Sequence, residues 1–155
     1  MEITRERAHQ LIDLIRHNGG GHDINLVFIK AVESLLQGVE PAAVAAWTTV
    51  TDSVVNEVRL LTDHVLIGIK AASSREMFDR ADDLSEGDGL EAWAVPLRDV
   101  EGIDLLTLTS TDGGLRATYR VRVANERTFV LPPPNTYGSV RTAAHGFIHE
   151  LVRRL

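Results

Sequence analysis

Ser139-Val140-Arg141-Thr142-Ala143-Ala144-His145-Gly146-Phe147-Ile148-His149-Glu150-Leu151-Val152-Arg153-Arg154-Leu155 closes the chain, and its reading decides the fold. Val140, Ala143, Ala144, Phe147, Ile148, Leu151, Val152 and Leu155 fall within about half of a helix circumference at the 3.6-residue period. Arg141, Thr142, His145, His149, Glu150 and Arg153 take the other half. Ser139 is the expected N-cap, its side-chain oxygen accepting from a first-turn amide. A helix with so broad an apolar stripe needs a surface to cover. The stretch before it, from Ala42 to Leu131, reads as strands that supply one.

Along that stretch the apolar period is two. Ala43, Ala45, Trp47 and Thr49 alternate along a first strand, Val54 to Leu61 form a second, and Val65, Ile67 and Ile69 mark a third. Thr62-Asp63-His64 makes the turn between the second and third. Ser73-Ser74-Arg75-Glu76 has capping-box spacing for a short helix through Met77 and Phe78, and Leu84 to Gly89 reads as a loop. Trp93, Val95 and Leu97 mark a fourth strand and Ile103 to Thr109 a fifth. Asp112-Gly113-Gly114 is a hairpin turn into a sixth, Leu115 to Ala124. Asn125-Glu126 turns into a seventh, Arg127 to Leu131, which Pro132-Pro133-Pro134 stops.

Upstream the period is 3.6. Thr4 is a cap for a helix to His17, with Ala8, Leu11, Ile12 and Ile15 on one side. Asn18-Gly19-Gly20-Gly21 ends it. Asp23 is the expected cap of a second helix to about Gln37, carrying Phe28, Val32, Leu35 and Leu36, with Gly38 as its stop. Pro41 separates this helical hairpin, residues 1–40, from the strand-rich part, residues 41–155.

At 155 residues the chain is long enough for one well-buried core without staples. It has no cysteine, which excludes disulfides, thiolate metal sites and cysteine nucleophiles. The first residues are polar and acidic, unlike a signal peptide, and no apolar run is long enough to span a membrane. A cytoplasmic location is the expectation. The net charge of −6 is unevenly spread, with seven arginines against two acids over residues 113–155. General acidity argues against nucleic acid, whose phosphates dominate affinity.

Val58-Arg59-Leu60-Leu61-Thr62-Asp63-His64-Val65-Leu66-Ile67 resembles the strand–Thr-Asp–strand hairpin of bacterial pleckstrin-homology-like domains. Trp93 to Ile103, with its Pro96-Leu97 ending before an acidic-apolar turn, is similar to another element of that family, and the closing helix is a third. The resemblance covers about residues 42–155. It implies a bent sheet or partly open barrel capped by the C-terminal helix, and a binding module rather than an enzyme. His64 stands where the family often has a basic residue, and the stretch 72–90 is longer than usual.

Candidate sites carry two readings each. Arg116, Arg120 and Arg122 share one strand parity, which puts three guanidinium forks on one face. They offer a site for an anionic ligand, or form a solvated face paired with neighbouring acids. His145 and His149, four apart on a helix, have metal-ligand spacing without the glutamate of the zinc-protease motifs. Solvated histidines are the other reading, so no metal is expected. Gly146 between them costs roughly 1 kcal/mol in a helix, which close approach of another backbone would explain. The loop His17 to Asp23 precedes a helix N-terminus, yet has neither the Lys-Ser/Thr of a phosphate loop nor a nucleophile motif. The acids Glu76, Asp79, Asp82, Asp83, Glu86 and Asp88 lack EF-hand spacing.

The expectation is therefore an α+β protein whose N-terminal helical hairpin accompanies a seven-stranded antiparallel sheet closed by a helix. Its expected function is non-catalytic binding of another protein or of a second copy, without cofactor. Two-fold self-association is expected through Leu11, Ile15, Phe28, Val32 and Leu36, with Met77 and Phe78 as a further partner contact. The alternatives are a small hydrolase using the His17–Asp23 loop and anionic-lipid binding through the arginine face.

Overall fold

In the computed structural model, which describes residues 2–21, 24–74, 89–111, 114–134, 136 and 138–155, three helices accompany seven strands. Helix α1 spans Arg5–His17 and α2 spans Leu26–Leu36. Strands β1 (Ala43–Val50), β2 (Ser53–Leu61), β3 (Val65–Ser74) and β4 (Leu90–Pro96) form one antiparallel sheet in that order. After a 3-10 turn at Leu97–Asp99, β5 (Val100–Thr111), β6 (Gly114–Val123) and β7 (Arg127–Leu131) form a second. Helix α3, Ser139–Arg154, ends the chain. The expected single bent sheet is thus replaced by two sheets that do not close into a barrel.

Local chemistry sets most boundaries. Thr4 caps α1, its hydroxyl accepting from the Arg7 amide at 3.1 Å. Asn25, not Asp23, caps α2, accepting from the Val27 amide at 2.7 Å. Asp23 itself lies outside the described residues. The α3 cap is also corrected. Gly138 holds that position at φ 59, and Ser139 is already helical. Thr62 makes the β2–β3 turn, its hydroxyl oxygen accepting from the amides of His64 at 3.3 Å and Val65 at 3.0 Å. Asn125 and Glu126 turn β6 into β7 in left-handed conformations.

The four-stranded sheet is covered on both faces. Ala8, Leu11, Ile15, Phe28, Ile29, Val32 and Leu36 of the helices pack on Val44, Ala46, Val58, Leu60, Ile67, Ile69 and Ala71. On the other face Ala45, Trp47, Leu61 and Leu66 meet Val121, Val123, Leu131 and the α3 residues Ala144, Phe147, Ile148 and Leu151. This explains the β1 run Val44-Ala45-Ala46-Trp47, buried at every position where one-sided alternation was expected. A strand sandwiched between two layers has no solvent face. One core cluster crosses the boundary at residue 40, since helices and sheet share it. At the end of α3, Val152 and Leu155 are each 56 % exposed, so the buried stripe is narrower than the expected one.

A polar latch holds the helices together. Arg7 pairs with both Glu33 and Glu40, and Glu33 also accepts from the Gly38 amide at 2.5 Å. The latch fastens α1 to the end of α2 where that helix stops with Gln37 in the left-handed region. No helix among the described residues is long and apolar enough to cross a membrane.

Candidate binding sites

The arginine face is present, and two of its three arginines share one carboxylate. The β5–β6 register places Asp104 opposite Arg120 and Gly102 opposite Arg122. Asp104 accepts from Arg122 Nε at 2.9 Å and from Arg120 Nε and Nη2 at 3.2 Å. The Arg122 hydrogen bond, with Arg120 behind it, holds the Asp104 carboxyl below the usual carboxylate range, against a smaller effect of burial. Two guanidinium groups therefore share one carboxylate. Arg116 lies further along β6, exposed and opposite Thr109. Of the two readings of this face, pairing with a neighbouring acid describes Arg120 and Arg122.

The stripes expected to meet a second copy are spent within the chain. Leu11, Ile15, Phe28, Val32 and Leu36 are 0 to 2 % exposed, all packed on β1–β3. Their role is to fix the helices on the sheet, so they offer no docking surface. The reason is that the four-stranded sheet has an uncovered face once α3 occupies the other. Met77 and Phe78, and the acidic run around them, lie outside the described residues.

The glycine loop after α1 is a clasp. Its amides at Asn18, Gly19, Gly20 and Gly21 donate to Leu14, Arg16 and Ile15 carbonyls and to the Thr48 hydroxyl. Asn18 in return accepts from the Ala46 amide at 3.1 Å. A Cβ at Gly19 would collide with the Ala46 carbonyl. Glycines are needed there for close approach to β1, and amides already bonded cannot cradle an oxyanion. On α3, His145 lies edge-on to Tyr119 at 5.9 Å, and burial, aided by Arg141, lowers its pKa. His149 is exposed. Among the described residues no group of three His, Asp or Glu is placed to hold a metal ion.

Two features went unread in the sequence. The first is a cleft between the sheets. The register across β1–β4 aligns Ala45, Arg59, Gly68 and Trp93 in one row and Trp47, Glu57, Lys70 and Glu91 in the next. Arg59 is 9 % exposed, its guanidinium 5.0 Å from the Phe129 ring centroid, 5.4 Å from Trp47 and 5.6 Å from Trp93. Arg127 of β7 lies 4.6 Å over the same Trp93. Glu57 accepts from Trp47 Nε1 at 2.8 Å and reaches Arg59 only at 3.7 Å. Burial lowers the Arg59 pKa, and Arg127 adds to that effect. In front of this group Lys70, Ala72, Leu90, Glu91, Trp93 and Arg127 line an opening of about 750 Å³.

The second is the outer part of β5. Strand order leaves β5 at the edge of its sheet. A bulge between Leu105 and Thr107 shifts the pairing, so that Leu105 opposes Tyr119 and Leu108 opposes Ala117. Leu105 and Leu108, three apart, thereby share the face that carries Ile103 inward. Unlike Ile103, they extend past the core: Leu105 is 55 %, Leu106 42 % and Leu108 59 % exposed. From Leu105 to Thr111 the strand holds no charge and no proline. No family model matches this chain, and comparison with curated proteins and with solved structures returns no match either.

Proposed function

We propose that this protein is a non-catalytic binding module that docks another polypeptide by strand addition at β5, with a second copy of itself as the occupant. The observation that carries this reading is the β5 edge, exposed from Leu105 to Ser110 and uncharged from Leu105 to Thr111. Natural sheets blunt an edge of this length with lysine, proline or an inward charge, because unpaired amides and carbonyls template further pairing. Here only the bulge at Leu106 interrupts the ladder. Main-chain hydrogen bonds would supply affinity, and Leu105 and Leu108 the apolar contact.

A like strand suits this edge. In an antiparallel β5–β5 pair about a two-fold axis at Leu108, Leu108 meets Leu108 and Thr107 meets Thr109, and no charges fall opposite each other within Leu105–Thr111. Asp104, already held by Arg120 and Arg122, stays just outside it. The pleckstrin-homology-like resemblance supports a binding role, and two antiparallel sheets of four and three strands followed by a C-terminal helix are compatible with it. Association is tested by the mass of the full chain in solution with and without charges on β5.

A further inference from the structure

We infer that the cleft between the two sheets is a second binding site, for a small organic acid that presents a carboxylate on an apolar body. It is built from residues apart from β5, so its failure leaves the strand-addition reading untouched. Two cations, Lys70 and Arg127, line the cleft with Glu91, and the buried Arg59 with Glu57 lies behind Trp93, close enough to feel Arg127 and Glu91. The local charge is thus one positive unit. Arg59 and Arg127 share the Trp93 ring although they repel each other. Each guanidinium gains a cation–π contact with Trp93, but the two repel each other, and an anion in the cleft is attracted by both.

The buried cation is also incompletely satisfied. Arg59 Nε has no hydrogen-bond partner among the described residues, and Nη1 reaches only the Val58 carbonyl at 3.1 Å. Its nearest carboxylate, Glu57, divides itself with the Trp47 indole. Charge decides the ligand class. A carboxylate carries one negative unit and balances the site, while a phosphomonoester carries about −1.5 to −2 at pH 7 and overshoots it. The walls decide the rest, because Ala72 and the Trp93 ring give apolar surface beside Lys70 and Arg127. An opening of about 750 Å³ suits a small molecule.

The protein reports on this site by itself, since its two tryptophans, Trp47 and Trp93, both flank Arg59. Full-length protein is titrated with hexanoate, hexanol and inorganic phosphate while tryptophan emission and melting temperature are recorded. Hexanoate is expected to saturate the emission change at millimolar concentration and to raise the melting temperature, with hexanol and phosphate each weaker by about tenfold or more. Arg127→Met and Lys70→Met, both at the cleft mouth, are each expected to weaken hexanoate about tenfold while leaving the melting temperature of the free protein near its original value. The proposal is overturned by a linear hexanoate response, by hexanol binding as well as hexanoate, by phosphate binding more tightly, or by both variants binding as the parent does.

Discussion

Gly68 lies directly beneath Trp93. The two are register partners on β3 and β4, and a Cβ at position 68 would run into the indole ring. The tryptophan lies over the glycine with Arg127 above it. Gly68→Ala is therefore expected to destabilise the protein by about 1–3 kcal/mol, the usual cost of overpacking. Urea melts followed by tryptophan emission check this, and the folded-state emission itself should shift.

Gly146 behaves in the opposite way. It sits within α3, exposed, with nothing inside 4 Å of where its Cβ would stand. Gly146→Ala is expected to stabilise the chain by about 0.8–1.0 kcal/mol, the helix-propensity difference between the two residues. A rise in the urea midpoint at unchanged slope is the readout.

Much of the architecture was legible because periodicity is local. The change from 3.6 to two near Pro41 separates helices from strands, and each of the seven strands falls close to its expected place. Partition into two sheets was not legible, since it depends on the short turn Leu97–Asp99 and on which distant strands pair. The caps differ from expectation because Asn25 is as good a local candidate as Asp23, and because the chain enters α3 through a positive φ at Gly138 that suits glycine. The Arg59 cleft was hidden for a different reason. Arg59 and Glu57 share the parity of Leu61, which would have placed two charges on an inward face. That clue has force only once β2 is known to be buried on both sides. In sequence the leucines of β5 look like ordinary strand residues, because edge position is a property of topology.

The narrower buried stripe of α3 separates two residues that the helical wheel treats alike. Phe147 is 1 % exposed in the second core, and Phe147→Ala is expected to cost about 3–5 kcal/mol. Val152→Ala, at a position 56 % exposed, should stay within about 0.5 kcal/mol. Equilibrium denaturation of both variants decides the assignment.

His145 gives the fold a pH dependence of definite sign. Burial and Arg141 lower its folded pKa, so the native state favours the neutral imidazole. Its contribution is present above the unfolded pKa of about 6.5 and is lost as the pH falls through the lower folded value. Melting temperatures taken from pH 7.5 to 5 should therefore fall less steeply in His145→Gln than in the parent.

Pairing of two copies at the β5 edge is read most directly from the light-scattering mass of the full chain at micromolar concentration. The parent is expected at twice the 17.0 kDa chain mass. The double variant Leu105→Lys, Leu108→Lys should scatter as a single chain with unchanged circular dichroism, because charges on that face block pairing without touching the core. A parent protein that scatters as one 17.0 kDa chain, or a double variant that keeps the dimer mass, would contradict strand addition between copies.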